Sequence, residues 1–181
     1  MSQAGDESSH RDHLEAASGI GGIGFAIITL SDTRTEATDG SGAFLREAIE
    51  AAGHSVAWYQ VVSDDPGAIS EALDAALSDP AVGVVITTGG TGISARDSAY
   101  ETISSRLDKQ LDGFGELFRM LSFEEIGAAA MLSRAVGGIA SGRPLFALPG
   151  STAAVRLGIE RLILPQVGHL HHELTRHATG S

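Results

Sequence analysis

The stretch Val82–Thr87 is a short apolar run that leads directly into the glycine-rich segment Thr88–Gly92. Its apolar residues do not alternate with polar ones, and this continuity is typical of a strand whose two faces are both buried. Strands of that kind occur in parallel sheets that carry helices on both sides. The run therefore predicts a parallel β-sheet covered by two layers of helices.

Candidate strands and helices alternate along the rest of the chain. Short apolar runs rich in branched residues predict strands at 25–30, 54–62, 136–140 and 145–148. Helical spacing predicts helices between them, with a last helix over 165–176, and helix-start signals occur at Asp65-Pro66, Ser98–Glu101, Ser122–Glu125 and Pro149–Ser151. We expect an α/β fold of three layers, in which a mostly parallel twisted sheet is flanked by helices.

The length of 181 residues suits one domain with short tails. We predict a disordered N-terminal arm over 1–18, a single domain over 19–176 and a C-terminal tail over 177–181. The arm is polar and lacks a basic segment followed by an apolar run, so we expect no signal peptide. No stretch approaches the ~20 apolar residues of a membrane span.

Charge and cysteine content exclude several classes of partner. The formal net charge is -11, with only 12 lysine and arginine residues, so the chain lacks the basic face of a duplex nucleic-acid binder. The same charge argues against an anionic membrane surface. Because the chain has no cysteine, disulfides and thiolate metal sites are excluded, and a cytoplasmic location fits.

Polar segments follow three of the predicted strands, at Ser31–Arg34, Thr87–Asp97 and Pro149–Ser151. Ligands of parallel sheets bind outside the carboxyl ends of the strands. We therefore expect these three segments to converge on one ligand site.

The glycine-rich segment is the strongest local signal for ligand binding. Its residues Thr88, Gly89, Gly90, Thr91 and Gly92 allow the backbone to approach a ligand and to present N–H groups to an anion. A tight strand-to-helix turn explains the same glycines without a ligand.

A dinucleotide-binding fingerprint is a third interpretation of the glycines, as Gly90-x-Gly92-x-x-Ala95. It would make the chain a nucleotide-binding oxidoreductase, and it requires an acidic residue at the end of the next strand. Asp108 and Asp112 have about the right spacing, but their surroundings look helical or looped.

Several carboxylates fall at the same predicted edge of the sheet. Asp97 lies just before the Ser98 cap, where a carboxylate can simply stabilise the N-terminus of the helix. In a functional interpretation it lies beside the anion site, where a divalent cation would have to bridge it to a phosphate. Asp64 follows a strand and, unlike Asp65, has no duty as a helix cap. Asp32 and Asp39 follow the first strand, where position alone does not separate a ligand contact from a solvated loop.

The remaining polar signals have simpler explanations. Pro149, Gly150 and Ser151 open a helix, and although capping explains Ser151, the same N-terminus can hold a phosphate or pterin oxygen. A histidine-rich C-terminus is conceivable as a metal site but fits a solvated helix better. Helically spaced apolar residues predict core or a subunit interface at Phe114, Leu117, Phe118 and Leu121.

A set of motifs in order resembles the MoaB/MogA family of molybdenum cofactor biosynthesis. The similarity covers roughly residues 20–170, and 114–127 looks particularly like the MoaB branch. The motifs that carry it are Leu30-Ser-Asp-Thr-Arg34, Asp39-Gly-Ser-Gly42, Thr87-Thr-Gly-Gly-Thr-Gly92 with Arg96-Asp97, Gly113-Phe-Gly-Glu116 and Leu148-Pro-Gly-Ser151.

The resemblance implies a molybdopterin-binding α/β fold and a homo-oligomer, usually a trimer and in some members a hexamer. It also implies adenylylation of molybdopterin, with ATP and molybdopterin as substrates, Mg²⁺ as cofactor and pyrophosphate released. A partner protein then inserts the molybdenum. The alternative within the family is a non-catalytic molybdopterin carrier or scaffold.

The resemblance also assigns site residues. Asp64 and Asp97 match the two catalytic aspartates, which would also hold the metal ion. The glycine-rich turn and Ser151 match pterin-phosphate contacts. Asp32 and Asp39 match motif positions whose individual roles are less defined, and we expect them, with Pro149 and Gly150, to belong to the same binding site.

Overall fold

The computed structural model describes residues 22–94 and 97–175, and they build a six-stranded sheet in the order β2-β1-β3-β6-β5-β4. Strands β2, β1, β3 and β6 are parallel, whereas β5 and β4 add antiparallel pairs at one edge, so the predicted mostly parallel sheet is confirmed. The strands are β1 Gly24–Leu30, β2 Ser55–Val62, β3 Val84–Thr88, β4 Lys109–Gln110, β5 Val136–Ala140 and β6 Arg143–Leu148.

Helices cover both faces of this sheet. The helices are α1 Gly40–Ala51, α2 Pro66–Ser78, α3 Ala99–Ser104, α4 Asp112–Ile126, α5 Thr152–Gly158 and α6 Leu164–Thr175. Side chains of α1, α4, α5 and α6 pack with one face of the sheet, and those of α2 and α3 pack with the other. The predicted three layers are therefore confirmed, with a core on each side of the sheet.

The order of strands explains their composition. All residues of β3 are buried, because it lies between β1 and β6 and is covered by helices on both faces. Strand β2 is at the edge, and its residues are only partly buried or exposed. A fully buried leucine, isoleucine or phenylalanine contributes about 1.5–3 kcal/mol to the free energy of folding, so the central strands carry much of the stability.

One helix-start prediction is wrong, and a second is confirmed in position but not in its capping hydrogen bond. Ser122 does not begin a helix, because it lies inside α4, which starts at Asp112. Ser98 does precede α3, but its side chain makes no capping hydrogen bond. Glu101, the other half of that predicted capping box, forms an ion pair with Arg134 instead.

Three elements differ in detail from the sequence prediction. The two-residue strand β4 was not expected, and it pairs antiparallel with β5. A 3₁₀ turn at Glu36–Thr38 interrupts the loop after β1. Between α5 and α6 the helix continues as a π-helical segment, Ile159–Ile163, so the break expected near Pro165 is absent.

The predicted arm over 1–18 and the tail over 177–181 lie outside the described residues, as do the domain limits at 19 and 176. Those limits stay predictions. Among the residues that are described, no helix is both long enough and apolar enough to cross a membrane.

Candidate active site

The carboxyl ends of β1, β3 and β6 lie side by side, because these strands are parallel neighbours. The loop after β1 contacts the turn after β6 through Arg34, whose two terminal nitrogens each donate to the carbonyl of Gly150 at 3.2 Å. The glycine-rich turn after β3 joins them, since the N–H of Gly89 donates to the carbonyl of Leu148 at 3.0 Å. The convergence predicted for the three segments is confirmed.

The glycine-rich turn needs glycine for two reasons. Gly89 and Gly90 have φ values of +102° and +62°, in the left-handed region that L side chains rarely adopt. A side chain at Gly89 would also collide with the carbonyl of Leu30, and one at Gly90 would lie 2.9 Å from the Oδ1 atom of Asp64. Because these positions have no side chain, the backbone of the turn can lie directly against the carboxylate of Asp64.

Thr88 anchors the start of this turn. It is fully buried at the end of β3, and its hydroxyl donates to the carbonyl of Pro149 at 3.3 Å. After it, the N–H groups of residues 90–93 donate to no acceptor within the described chain. A row of unpaired backbone donors in a turn is suited to an anion.

Asp64 lies at the end of β2 and faces the turn. Its Oδ1 atom is buried and has no hydrogen-bond partner among the described residues. Burial raises the pKa of Asp64, and the charges of Asp97 and Asp32 raise it further. Asp32 lies beside Asp64, and its Oδ1 atom accepts a hydrogen bond from the Asp64 N–H at 3.1 Å. An unpaired, partly desolvated carboxylate oxygen is a natural ligand for a cation.

Asp97 approaches the same turn from its far end. Its Oδ2 atom accepts a hydrogen bond from the N–H of Ser94 at 2.7 Å and lies where a side chain at Gly92 would be. The Ser94 hydrogen bond is the main cause that lowers the pKa of Asp97. Asp97 is therefore ionised at neutral pH, beside the unpaired backbone donors.

The described residues contain no group of three or more histidine, aspartate or glutamate side chains arranged to hold a metal ion. Mg²⁺, however, is usually held by one or two protein carboxylates together with substrate phosphates. Asp64 and Asp97 fit that mode, since Asp64 offers an unpaired oxygen and Asp97 an ionised carboxylate.

Asp39 lies beneath the site rather than in it. It is only 2% exposed, and its Oδ2 accepts hydrogen bonds from Thr29 at 2.5 Å and from Tyr59 at 2.8 Å. Burial of Tyr59, together with its bond to Asp39, raises the pKa of Tyr59 to about 12. Asp39 also pairs with Arg34 at 3.6 Å, so it supports the arginine that holds Gly150.

The turn after β6 is fixed from two sides. Ser151 caps α5, because its Oγ accepts a hydrogen bond from the N–H of Ala154 at 3.2 Å, as the sequence predicted. The hydroxyl of Ser41 donates to the carbonyl of Gly150 at 3.0 Å. Pro149, Gly150 and Ser151 thus form a rigid wall opposite the glycine-rich turn.

Comparison with known proteins identifies the family of this chain. The family described as a probable molybdopterin binding domain matches residues 26–169. The chain belongs to this molybdopterin-binding family. The family resemblance and the fold expected from the motifs are both confirmed.

Individual family members are closely similar to the chain. A protein from Bacillus cereus named Molybdenum cofactor biosynthesis protein B is 52% identical over 151 residues, which is 83% of this chain and 89% of the relative. A crystal structure of a Molybdenum cofactor biosynthesis protein B has a TM-score of 0.84 at 50% identity and covers 86% of this chain and 97% of its own. The tungsten cofactor synthesizing protein MoaB from Pyrococcus furiosus has a TM-score of 0.72 at 36% identity, with coverage of 84% and 97%.

The dinucleotide fingerprint does not fit a chain with the fold of this molybdopterin-binding family. The strand after α3 is the short antiparallel β4, so Asp108 does not end a parallel strand as that fingerprint requires. Asp108 instead accepts a hydrogen bond from the N–H of Ser141 at 2.8 Å. Asp112 begins α4.

One residue beside the site, Arg134, was not predicted from the sequence. Its side chain reaches the glycine-rich turn from the segment before β5 and contacts the carbonyls of Thr91, Gly92 and Asp97. In the sequence it is an isolated arginine in a mostly apolar stretch, and this pattern does not indicate which part of the fold the side chain contacts.

Proposed function

We propose that this protein acts in molybdenum cofactor biosynthesis by transferring the adenylyl group of ATP to molybdopterin. The observation that carries the proposal is the pair Asp64 and Asp97, which flank a turn of unpaired backbone donors at the carboxyl edge of the sheet. Membership of the molybdopterin-binding family and the printed name of the Bacillus cereus relative support the choice of pathway.

In this reaction an oxygen of the terminal phosphate of molybdopterin attacks the α-phosphorus of ATP. A new P–O bond forms, the bond from the α-phosphorus to the bridging oxygen breaks, and the electron pair leaves with pyrophosphate. Because a phosphate monoester is largely ionised at pH 7, no general base is required. The work of the protein is then to position two polyanions and to balance their charge.

The residues of the site divide this work. Asp97 and Asp64 would hold Mg²⁺, which neutralises phosphate charge when it is bound. The N–H groups of Gly90, Thr91 and Gly92 would bind phosphate oxygens, and Pro149–Ser151 would face the pterin. Gly89 and Thr88, whose own donors are paired with Leu148 and Pro149, would hold the turn in place. Asp32 would act on Asp64, whose N–H it already binds.

Apolar side chains exposed on α4 and after it support self-association. They recur every third residue along one face of the helix, and Phe123 is 62% exposed. We propose a homo-oligomer, a trimer or a pair of trimers, that covers this face. The exposed residues are Leu117, Met120, Phe123, Ile126, Met131 and Leu132. Phe123→Glu should then convert the oligomer to a smaller species in sedimentation velocity, whereas an unchanged sedimentation coefficient would contradict this part of the proposal.

We place the reaction in the cytoplasm, where ATP is available, and expect a separate protein to insert the molybdenum into the adenylylated product.

The proposal is tested with purified protein, molybdopterin and ATP labelled at the α-phosphate. Labelled adenylyl-pterin should form with Mg²⁺ and stop when the cation is chelated. Tight binding of molybdopterin with no label transfer would assign the protein to the carrier class instead.

A further inference from the structure

Arg134 holds both ends of the segment that carries the second carboxylate. Its Nε donates to the carbonyl of Thr91 at 3.2 Å, and one terminal nitrogen donates to the carbonyls of Gly92 and, at 3.3 Å, Asp97. Its other terminal nitrogen pairs with Glu101 at 2.5 Å. The guanidinium also stacks on the ring of Tyr100, 4.7 Å from its centre. Three carbonyls, one carboxylate and one aromatic ring therefore fix the plane and the position of the guanidinium.

These contacts determine which way the backbone donors of the turn point. No described peptide bond is cis, and the carbonyl and N–H of one trans peptide point in opposite directions. The carbonyls of Thr91 and Gly92 point at Arg134. The N–H groups of Gly92 and Ile93, which share those two peptides, therefore point away from Arg134.

The same two N–H groups donate to no acceptor within the described residues. Without Arg134, two carbonyls would lose their donors, and the peptides would be free to rotate. A rotated peptide would present a carbonyl oxygen, rather than an N–H, to an anion. The guanidinium thus determines whether the turn presents N–H groups, which carry a partial positive charge, or carbonyl oxygens, which carry a partial negative charge, to a ligand.

We propose that Arg134 is a positioning residue, which orients the Gly92 and Ile93 amides toward a phosphate of the substrate without touching it. The inference rests on the proposed function only in naming the reaction. Its physical content, that Arg134 creates an anion site in the turn, stands apart from turnover.

Lysine cannot take the place of this arginine. A planar guanidinium donates from Nε and from both terminal nitrogens in fixed directions, while an ammonium is a point charge on a flexible stem. Arg134→Lys therefore keeps the positive charge and the ion pair with Glu101 but loses the fixed geometry at three carbonyls. This variant separates charge from orientation.

Two matched controls are available. Glu101→Gln removes the charge partner of Arg134 but leaves its contacts with the carbonyls. Arg106→Ala removes an arginine that follows α3 and pairs with Asp74 of α2.

The experiment measures binding of Mg²⁺-pyrophosphate by calorimetry and, separately, the kcat and KM of label transfer, on the full chain with its thermal unfolding recorded. Arg134→Lys should weaken pyrophosphate binding and lower kcat, each by about 100-fold, because a misplaced donor of this kind loses about that much. Glu101→Gln and Arg106→Ala should stay within about threefold of the wild type.

Binding and kcat of Arg134→Lys within about threefold of the wild type would overturn the proposal. So would a wild-type protein that does not bind pyrophosphate, or an equal loss in Glu101→Gln, which would mean that Arg134 acts through its ion pair alone. A wild type that binds pyrophosphate without transferring label would refute the proposed function, and the binding comparison would still decide the role of Arg134.

Discussion

Asp64 and Asp97 lie in loops that follow two different strands, β2 and β3, yet they are close enough for the charge of Asp97 to raise the pKa of Asp64. Asp64 faces Gly90 at one end of the glycine-rich turn, and Asp97 faces Gly92 at the other. Burial acts on Asp64 in the same direction, whereas a backbone hydrogen bond from Ser94 lowers the pKa of Asp97. One carboxylate is thus poised to accept a cation, and the other is already ionised.

Replacing Asp64 should make the protein more stable and less active. Since folding raises the pKa of Asp64, its ionised form is disfavoured in the folded state, and its charge lowers stability at pH 7. Asp64→Asn should raise the melting temperature by about 2 °C at pH 7, with a smaller gain as the pH falls through the folded-state pKa. Asp65→Asn is the control, because asparagine caps a helix as well as aspartate does. A lower melting temperature for Asp64→Asn would contradict the assignment.

The fall of activity at low pH, which is the acid limb of the pH–activity profile, should be determined by the protonation of Asp64. Protonation of this carboxylate removes a cation ligand, so activity should fall as the pH drops through a pKa above the usual aspartate range. Because the charge of Asp32 contributes to that raised pKa, Asp32→Asn should move the limb to lower pH. Asp79→Asn, a change at the end of α2, should leave the limb in place. Identical limbs in all three proteins would show that another group controls the profile.

A methyl group in the glycine-rich turn should lower both stability and activity, whereas one at a glycine of positive φ elsewhere should lower stability alone. Gly90→Ala and Gly53→Ala both place a side chain at positive φ, which costs about 1–2 kcal/mol of folding free energy. A side chain at Gly53 has nothing within 4 Å, whereas one at Gly90 meets Ala99 and Asp64. We expect a lower urea midpoint for Gly90→Ala than for Gly53→Ala, because its methyl group would collide with the Cβ of the buried Ala99. A loss of transfer activity, about tenfold or more, is expected only in Gly90→Ala. Equal activities would mean that the turn does not contact the substrate.

Tyr59→Phe should destabilise the fold without touching the ligand. The phenol donates to the buried carboxylate of Asp39, and a hydrogen bond to a charged group contributes about 2 kcal/mol. Urea unfolding should show a lower midpoint with an unchanged slope. Combining it with Thr29→Val, which removes the other donor to Asp39, should give a non-additive loss. Simple additivity would show that the two hydroxyls do not share the charge of Asp39.

Most of the fold could be predicted because its signals are local. Strand β3 is recognisable from an apolar run that is buried on both faces, and Gly53 marks the end of α1. Strand β4 has only two residues, too few for any periodicity. The pattern Ser122–Glu125 is the same whether it begins a helix or lies inside one, and only the packing of α4 decides between them.

The site was predictable where a motif fixes the position of a side chain along the chain. The turn Gly89–Gly92 follows β3 directly and Asp64 comes just after β2, so their place at the sheet edge follows from topology. Asp97 comes later in the same loop, just before α3. The burial of Asp39 depends on Tyr59 from the next strand, which no local pattern reveals. Arg134 donates to backbone carbonyls about forty residues earlier in the chain. Every residue has such a carbonyl, so the sequence does not indicate which ones an arginine contacts.

We expect Asp97 to serve the transfer of the adenylyl group rather than the binding of the pterin. The most direct measurement compares label transfer from α-labelled ATP and molybdopterin affinity in the wild type and in Asp97→Asn, with Asp74→Asn as the control. We expect transfer in the wild type and the control, and in Asp97→Asn a loss of turnover with molybdopterin affinity largely retained. Full transfer by Asp97→Asn, or tight pterin binding without transfer by the wild type, would contradict it.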